Sequence, residues 1–280
     1  MYINKDVSRS SMGGALFVAA LFGLSVGAGI ILAQNFLTPW LQARFGTQIA
    51  GSPDQFVDER ILLEAENDDL RYRASSFGIQ PGTELHAALM ADQNNILESF
   101  RRQAEGASST GEAWRVETFF TQTAKAGPLS SILRTDYIHR GENAHELVFY
   151  SSVHNSLRPE TFSLDRLFDD RATSHLNLDR VLCRNLAREK QRRLGAATIN
   201  GEPMDCREDV PVSFLDGAPV VFAPSSLPNR IGGMSFYYEA GRIGARDEGE
   251  YIIHIPQKTF QQYLNQDYRS LFGGELLQLD

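Results

Sequence analysis

The chain has 280 residues, 42% of them hydrophobic and 22% charged. That composition excludes a disordered or fibrous protein and leaves room for one sizeable domain with accessory segments. A net charge of −8 argues against a nucleic-acid partner, because displacing phosphate counterions needs a basic surface. Two cysteines are too few for a disulfide scaffold, yet enough for one bridge in an oxidising compartment.

No charged residue lies between Arg9 and Arg44, and within that window residues 13–33 (GGALFVAALFGLSVGAGIILA) are almost wholly apolar. As a helix this stretch rises about 31 Å, the thickness of a bilayer's hydrocarbon core. Lys5 and Arg9 precede it, so the positive-inside rule keeps the N-terminus in the cytoplasm and sends the rest across. The alternative is a cleaved signal peptide ending near Val26-Gly27-Ala28, although the apolar run continues past that point through Ile30, Ile31 and Leu32. Trp40 and Phe45 suit an interfacial belt. Ala15, Ala19, Gly23 and Gly27 recur every four residues and line one face, on which a second membrane helix can pack. Small residues are also simply common in membrane helices.

Ser52-Pro53-Asp54 reads as a helix start: a capping serine, proline at the first helical position, then an acid at the positive dipole end. The spacing of Phe56, Leu63 and Leu70 predicts a helix from there to about Ala74, either a coiled-coil stub or an amphipathic helix packed on its own domain. A second helix is predicted over Glu84–Gln103, with Leu85, Leu89, Ile96, Leu97 and Phe100 on one side. Gly106–Gly111 (GASSTG) reads as a linker and domain boundary.

From Ala113 the period changes to two: Trp114, Val116, Thr118 and Phe120 alternate with Arg115, Glu117 and Phe119. Leu129–His139 and Glu146–His154 continue an antiparallel meander. Ser174–Leu194 is helical, with Leu178, Val181, Leu182 and Leu186 inward. Leu215-Asp216-Gly217-Ala218 is a hairpin turn. Tyr251–Ile255 is a strand stopped by Pro256, and Lys258–Leu271 a closing helix. Strands followed by helices, with no βαβ alternation, make the class α+β. The implied organisation is a cytoplasmic tail (1–12), a transmembrane anchor (13–33), a two-helix juxtamembrane region and linker (34–111), an antiparallel-sheet domain packed with helices (112–273), and a tail (274–280).

Several motifs in the last domain match a known pattern. Tyr238-Glu239 is followed by Gly249 and then by Ile255-Pro256. Asp216-Gly217 stands where a hairpin is expected, and Leu167-Phe168 where an acidic leucine-phenylalanine turn is expected. A glycine-glycine-alanine-histidine turn is represented by Gly141-Glu142-Asn143-Ala144-His145, two residues longer. About three further residues are inserted between Tyr238-Glu239 and Gly249. With these motifs, residues 113–273 resemble a domain of unknown function. It is shared by RsiV-type lysozyme-sensing anti-sigma factors and the non-catalytic region of some peptidoglycan deacetylases. The resemblance implies an extracytoplasmic, non-enzymatic domain that recognises an envelope component. A cytoplasmic tail of about ten residues disfavours a direct anti-sigma role, which needs a cytoplasmic signalling domain.

No catalytic constellation is legible. His145-Glu146-Leu147-Val148-Phe149 begins like the zinc-protease HExxH but lacks the second histidine and lies in a strand. His139, His145 and His154 meet around a metal only if their strands pair suitably; histidines at a sheet edge are the commoner case. Gly232-Gly233-Met234-Ser235 lacks the trailing glycine of a nucleophile elbow, and Gly241 and Gly244 form no phosphate cradle. Asp247, Glu248 and Glu250 lack the alternating spacing of a calcium loop and read as a solvated hairpin tip. The basic run Arg184, Arg188, Lys190, Arg192 and Arg193 is either a patch for anionic envelope phosphates or lipid headgroups, or cations complementing a helix C-terminus. Cys183 and Cys206 are expected to form a disulfide, the alternative being two buried thiols. No metal or cofactor is expected.

The expectation is therefore a single-pass protein of a bacterial inner membrane with its C-terminal domain outside. Its partners are an envelope protein or cell-wall ligand and, through the anchor, the bilayer. The other readings are a structural subunit docked on membrane-protein partners, or a carbohydrate-active hydrolase.

Overall fold

The computed structural model describes residues 59–107, 113–140, 145–157, 162–169, 171–199, 202–204, 206 and 218–278. The apolar segment 13–33, with Ala15, Ala19, Gly23 and Gly27, lies outside them, as do Ser52-Pro53 and the hairpin turn expected at residues 215–217. Among the described residues no helix is long and apolar enough to cross a membrane.

The first layer is a five-stranded sheet of β1 (Arg60–Glu66), β2 (Leu70–Phe77), β3 (Trp114–Ala126), β4 (Leu129–His139) and β5 (His145–Asn155), in that spatial order. Neighbours are antiparallel except β2 and β3, which run parallel. Parallel neighbours need a crossover, and α1 (Glu84–Ala107) supplies it. Thr83 caps α1, its Oγ1 accepting from the His86 amide at 3.2 Å. The helix lays Leu89, Ile96, Leu97, Phe100 and Ala104 on Tyr72, Val116, Phe120, Ile132 and Ile138.

The helix expected over residues 52–74 is, from Arg60 onward, a β-hairpin. Its strand β2 buries Leu70, Tyr72 and Ala74 on one face and points Arg71 and Arg73 the other way. That period of two overrides the weaker seven-residue spacing, since each of these apolar residues finds the α1 core. The turn is set by Asn67, whose Oδ1 accepts from the amides of Asp69 (3.0 Å) and Leu70 (2.7 Å). Among the described residues, strands thus replace one of the two helices expected before the sheet domain. The sheet also includes residues from Arg60 onward, before the linker expected at Gly106–Gly111, because β2 pairs with β3. The class remains α+β, with sheets that are mainly antiparallel.

The second layer is an antiparallel sheet of β8 (Val220–Pro224), β9 (Ile231–Tyr238) and β10 (Tyr251–Pro256), with β9 central. Every residue of β9 is buried, because both faces are covered. A Cβ on Gly233 would run into the Ile255 carbonyl, so glycine is needed there for close strand packing. The helix α2 (Arg171–Leu194) covers one face with Leu178, Leu182 and Leu186, against Phe222, Phe236, Ile253 and Ile255. On the other face Val221 and Tyr237 meet Leu133 and Phe149 of the first sheet. Strand β8 lies on that sheet, its Val220 and Phe222 amides donating to Ser151 and Ser131 hydroxyls, both at 2.9 Å. These bonds satisfy edge amides that otherwise invite pairing with another chain.

The two-residue strands β6 (Thr198–Ile199) and β7 (Glu202–Pro203) follow α2 and pair with each other. The expected bridge is present: Cys183 on α2 joins Cys206, with the Cα atoms 5.7 Å apart. The helix expected over Lys258–Leu271 is instead two 3-10 turns (Gln257–Thr259 and Gln261–Tyr263) and the four-residue α3 (Gln266–Arg269). Leu264 adopts an extended backbone, and the Asn265 side chain then caps α3 by accepting from Asp267. Phe260, Leu264 and Phe272 still reach the core. Apolar positions alone did not reveal that break.

Candidate ligand-binding face

The face of the first sheet that α1 covers is closed. On the opposite face the second sheet covers the part around Leu133 and Phe149, and the β1–β3 part stays exposed and charged. There the strand register sets side chains in rows. Arg71 is registered on Arg115, Arg115 on His139 and His139 on His145, with Glu66 opposite Arg71 at the outer end. The next row is Glu64, Arg73, Glu117, Tyr137 and Leu147. A cleft of about 440 Å³ lies along Glu64, Glu66, Arg71, Arg73, Arg115 and Glu117.

The charges on this face are unevenly matched. Glu66 takes Arg71 at 2.7 Å, and Glu59 and Glu64 take Arg73 at 3.1 and 3.7 Å. Burial raises the Glu117 carboxyl above its usual range, with Arg73 and Arg115 opposing. Arg115 is exposed and makes no ion pair or hydrogen bond among the described residues. Beside it His139 and His145 bring their Nδ1 atoms to 2.6 Å, the rings edge to face with centroids 4.4 Å apart. Burial lowers the His139 imidazole, and the neighbouring His145 and Arg115 lower it further. Arg140 turns aside to Glu146 (2.8 Å) and the Trp114 ring.

Two other polar clusters are committed to the fold. Under α1, fully buried Asp136 accepts from Thr118 (2.9 Å) and from Arg134 (2.8 Å), while the Arg134 guanidinium lies 3.8 Å over the Tyr150 ring. Burial raises the Asp136 carboxyl, with Arg134 and Thr118 opposing, and burial pushes the Tyr72 hydroxyl up to about 12. Between α2 and β10, the buried Lys190 ammonium donates to Glu248 at 2.8 Å, and the Tyr251 hydroxyl and the Ala245 amide donate to the same carboxylate. Burial acts to raise Glu248, but these donors outweigh it and hold the carboxyl at about 2.

The residues singled out in the sequence fall as follows. Of the three histidines, His139 and His145 meet. His154 is registered on Ser130, nine positions further along β5 and so roughly 30 Å away. Among the described residues no group of three or more His, Cys, Asp or Glu could hold a metal. Glu248 is not part of a solvated tip, because it is the acceptor for Lys190. The basic run is divided: Lys190 is buried, Arg192 and Arg193 pair with Glu189 at 2.6 Å, and Arg184 and Arg188 remain exposed. Ser235 and His254 share a hydrogen bond of 2.7 Å, but Ser235 is sealed in the sheet and offers no accessible nucleophile. Arg71 and Arg115 were missed, although Arg71 and Arg73 alternating with Leu70, Tyr72 and Ala74 was the available signal.

No family model matches the chain, and no curated protein matches it. Two solved structures are similar. One is a member of the DUF3298 family from Bacteroides fragilis, at 12% identity with a TM-score of 0.46, covering 76% of this chain and 95% of that one. The other is a DUF3298 family protein from Pseudomonas aeruginosa, at 12% identity with a TM-score of 0.41, covering 78% and 94%. A DUF3298-like domain is what the motifs between Ala113 and Gly273 resemble.

Proposed function

We propose that the chain is a membrane-anchored binding or sensing protein of the bacterial envelope, with the open β1–β3 face as its ligand-contacting surface. The observation that carries this reading is the face itself, a charged cleft of about 440 Å³ that neither α1 nor the second sheet covers. Charged clefts with both signs suit polar, ionic ligands such as envelope proteins or cell-wall fragments. The apolar stretch 13–33 supports an anchor, and the Cys183–Cys206 bridge suits an oxidising compartment. In this reading the role is recognition, not catalysis.

The test uses the full chain in its own membrane. A photo-reactive residue replaces Glu64 in the cleft or, as control, the exposed Asn94 on α1. Capture of an envelope component from position 64 and not from 94 is the expected result. Equal capture from both positions, or capture that follows the anchor alone, would sink this reading in favour of a structural subunit. A reporter active only outside the cytoplasm, fused after Asp280, is expected to work; a silent one refutes the orientation.

A further inference from the structure

We propose that Arg115, His139 and His145, flanked by Arg71, form a subsite for a phosphate-type oxyanion, opened by histidine protonation. The inference rests on the binding role proposed above and narrows it to one chemical class of ligand.

Like-charged residues directly opposite in a sheet destabilise it. Here four consecutive strands place Arg71, Arg115, His139 and His145 in register, each against the next. The single carboxylate of that row, Glu66, sits beyond Arg71 and is occupied by it at 2.7 Å. Nothing comparable neutralises Arg115 among the described residues. Strands are spaced about 4.8 Å apart, so the heads of Arg115, His139 and His145 span roughly 10 Å along one line. An oxyanion with several acceptor oxygens bridges adjacent donors at that spacing, and a guanidinium is the planar donor best matched to it.

The histidine pair adds a condition. Two Nδ1 atoms at 2.6 Å hold a single proton between them, one ring donating and the other accepting. One added proton settles on the free Nε2 of the donating ring and keeps that bond; only full protonation of both rings makes every ring nitrogen a donor, so that the pair turns to an acceptor outside it. The charged and titratable groups around them are Arg115 and, one row on, Glu117 from β3, Arg71 from β2, and Tyr137 and Arg140 from β4. Of these, Arg115 is registered directly on His139, Glu117 lies two residues further along β3, and Arg140 is taken by Glu146 of β5 at 2.8 Å. In the free protein burial, with His145 and Arg115 beside it, lowers the His139 imidazole, and a bound anion opposes that. Binding therefore takes up protons and strengthens as pH falls through the histidine range.

The experiment is calorimetric titration of the full chain in detergent with inorganic phosphate. Affinity is expected to be about tenfold higher near pH 5.5 than near pH 8. Arg115→Gln should weaken it by about tenfold at the lower pH. The double variant His139→Asn, His145→Asn should remove the gain at low pH, leaving only the dependence set by phosphate's own second ionisation, and Arg102→Gln on α1 should change neither affinity nor pH dependence. Equal affinity at both pH values, or binding indifferent to Arg115→Gln, overturns the proposal. So does stoichiometric zinc that displaces phosphate and is lost with the histidines. Photo-capture from position 64 repeated in the Arg115→Gln chain separates the two ideas. Capture without phosphate binding leaves the binding role standing and sinks the subsite. Phosphate binding without capture does the reverse.

Discussion

Lys190 and Glu248, 58 residues apart in sequence, meet at 2.8 Å with the lysine side chain fully buried. The Tyr251 ring closes the ammonium from one side, its centroid 5.3 Å away. The carboxylate thus serves as counter-charge to a buried cation and fastens α2 to the turn before β10. Removing the acid should cost more than removing the base. Glu248→Gln strands a buried ammonium, at about 3 kcal/mol. Lys190→Met leaves a carboxylate that keeps the Tyr251 and Ala245 donors, and should cost less. Urea unfolding of the two variants side by side measures the difference.

The same carboxyl predicts an acid limb. Its native value of about 2 lies below the unfolded glutamate value of about 4.3. The unfolded chain therefore binds the proton first as pH falls. The contribution is complete above about pH 5 and is lost progressively toward pH 2. Unfolding curves of the parent chain and of Glu248→Gln should converge over that window; parallel curves would contradict the assignment.

Gly244 is predicted to act through Glu248. A Cβ added at Gly244 would overlap the Glu248 carboxylate. At Gly249 it would meet open space, but the backbone there has a φ of 75°. Gly249→Ala should therefore cost about 2 kcal/mol through backbone strain alone, since φ 75° with ψ −164° is a region essentially confined to glycine. Gly244→Ala should cost stability by displacing the Glu248 carboxylate from its donors, and part of that cost should vanish in a Glu248→Gln background. A double-mutant cycle reads that coupling.

The Cys183–Cys206 bridge closes a separation of 23 residues. Chain entropy puts its contribution at about 3 kcal/mol. Replacing both cysteines with serine should lower the unfolding midpoint accordingly. The parent chain, denatured without reductant, should show no reactive thiol.

The helix-forming and strand-forming stretches after Ala113 were legible because single periods run through them uninterrupted. Examples are Trp114, Val116 and Thr118 at spacing two and Leu178, Leu182 and Leu186 at spacing four. The first hairpin was not, because Leu63 and Leu70 fit a heptad as well as they fit strands. What decides between them is the remote fact that Tyr72 and Ala74 have α1 to pack against. The closing segment misled in the opposite way: Phe260 and Leu264 are buried as a helix would have them, but on turns that change direction at Leu264. The charged face was beyond reach for a further reason. Arg71 joins Arg115, His139 and His145 only through a parallel pairing that local sequence does not encode.

That pairing also constrains the order in which the chain assembles. The β3–β4–β5 meander is built from adjacent segments and closes short loops. The β1–β2 hairpin is likewise local. Joining the two requires the whole of α1 to be laid down first, a longer closure that rewards the chain only when β3 is already in place. Until then β3 is an unshielded edge with Val116 and Phe120 bare, a state open to pairing with another chain. During synthesis, β1 and β2 are therefore made before β3 yet join the sheet late. Changes in the α1 core should slow refolding and promote aggregation more than their effect on final stability suggests.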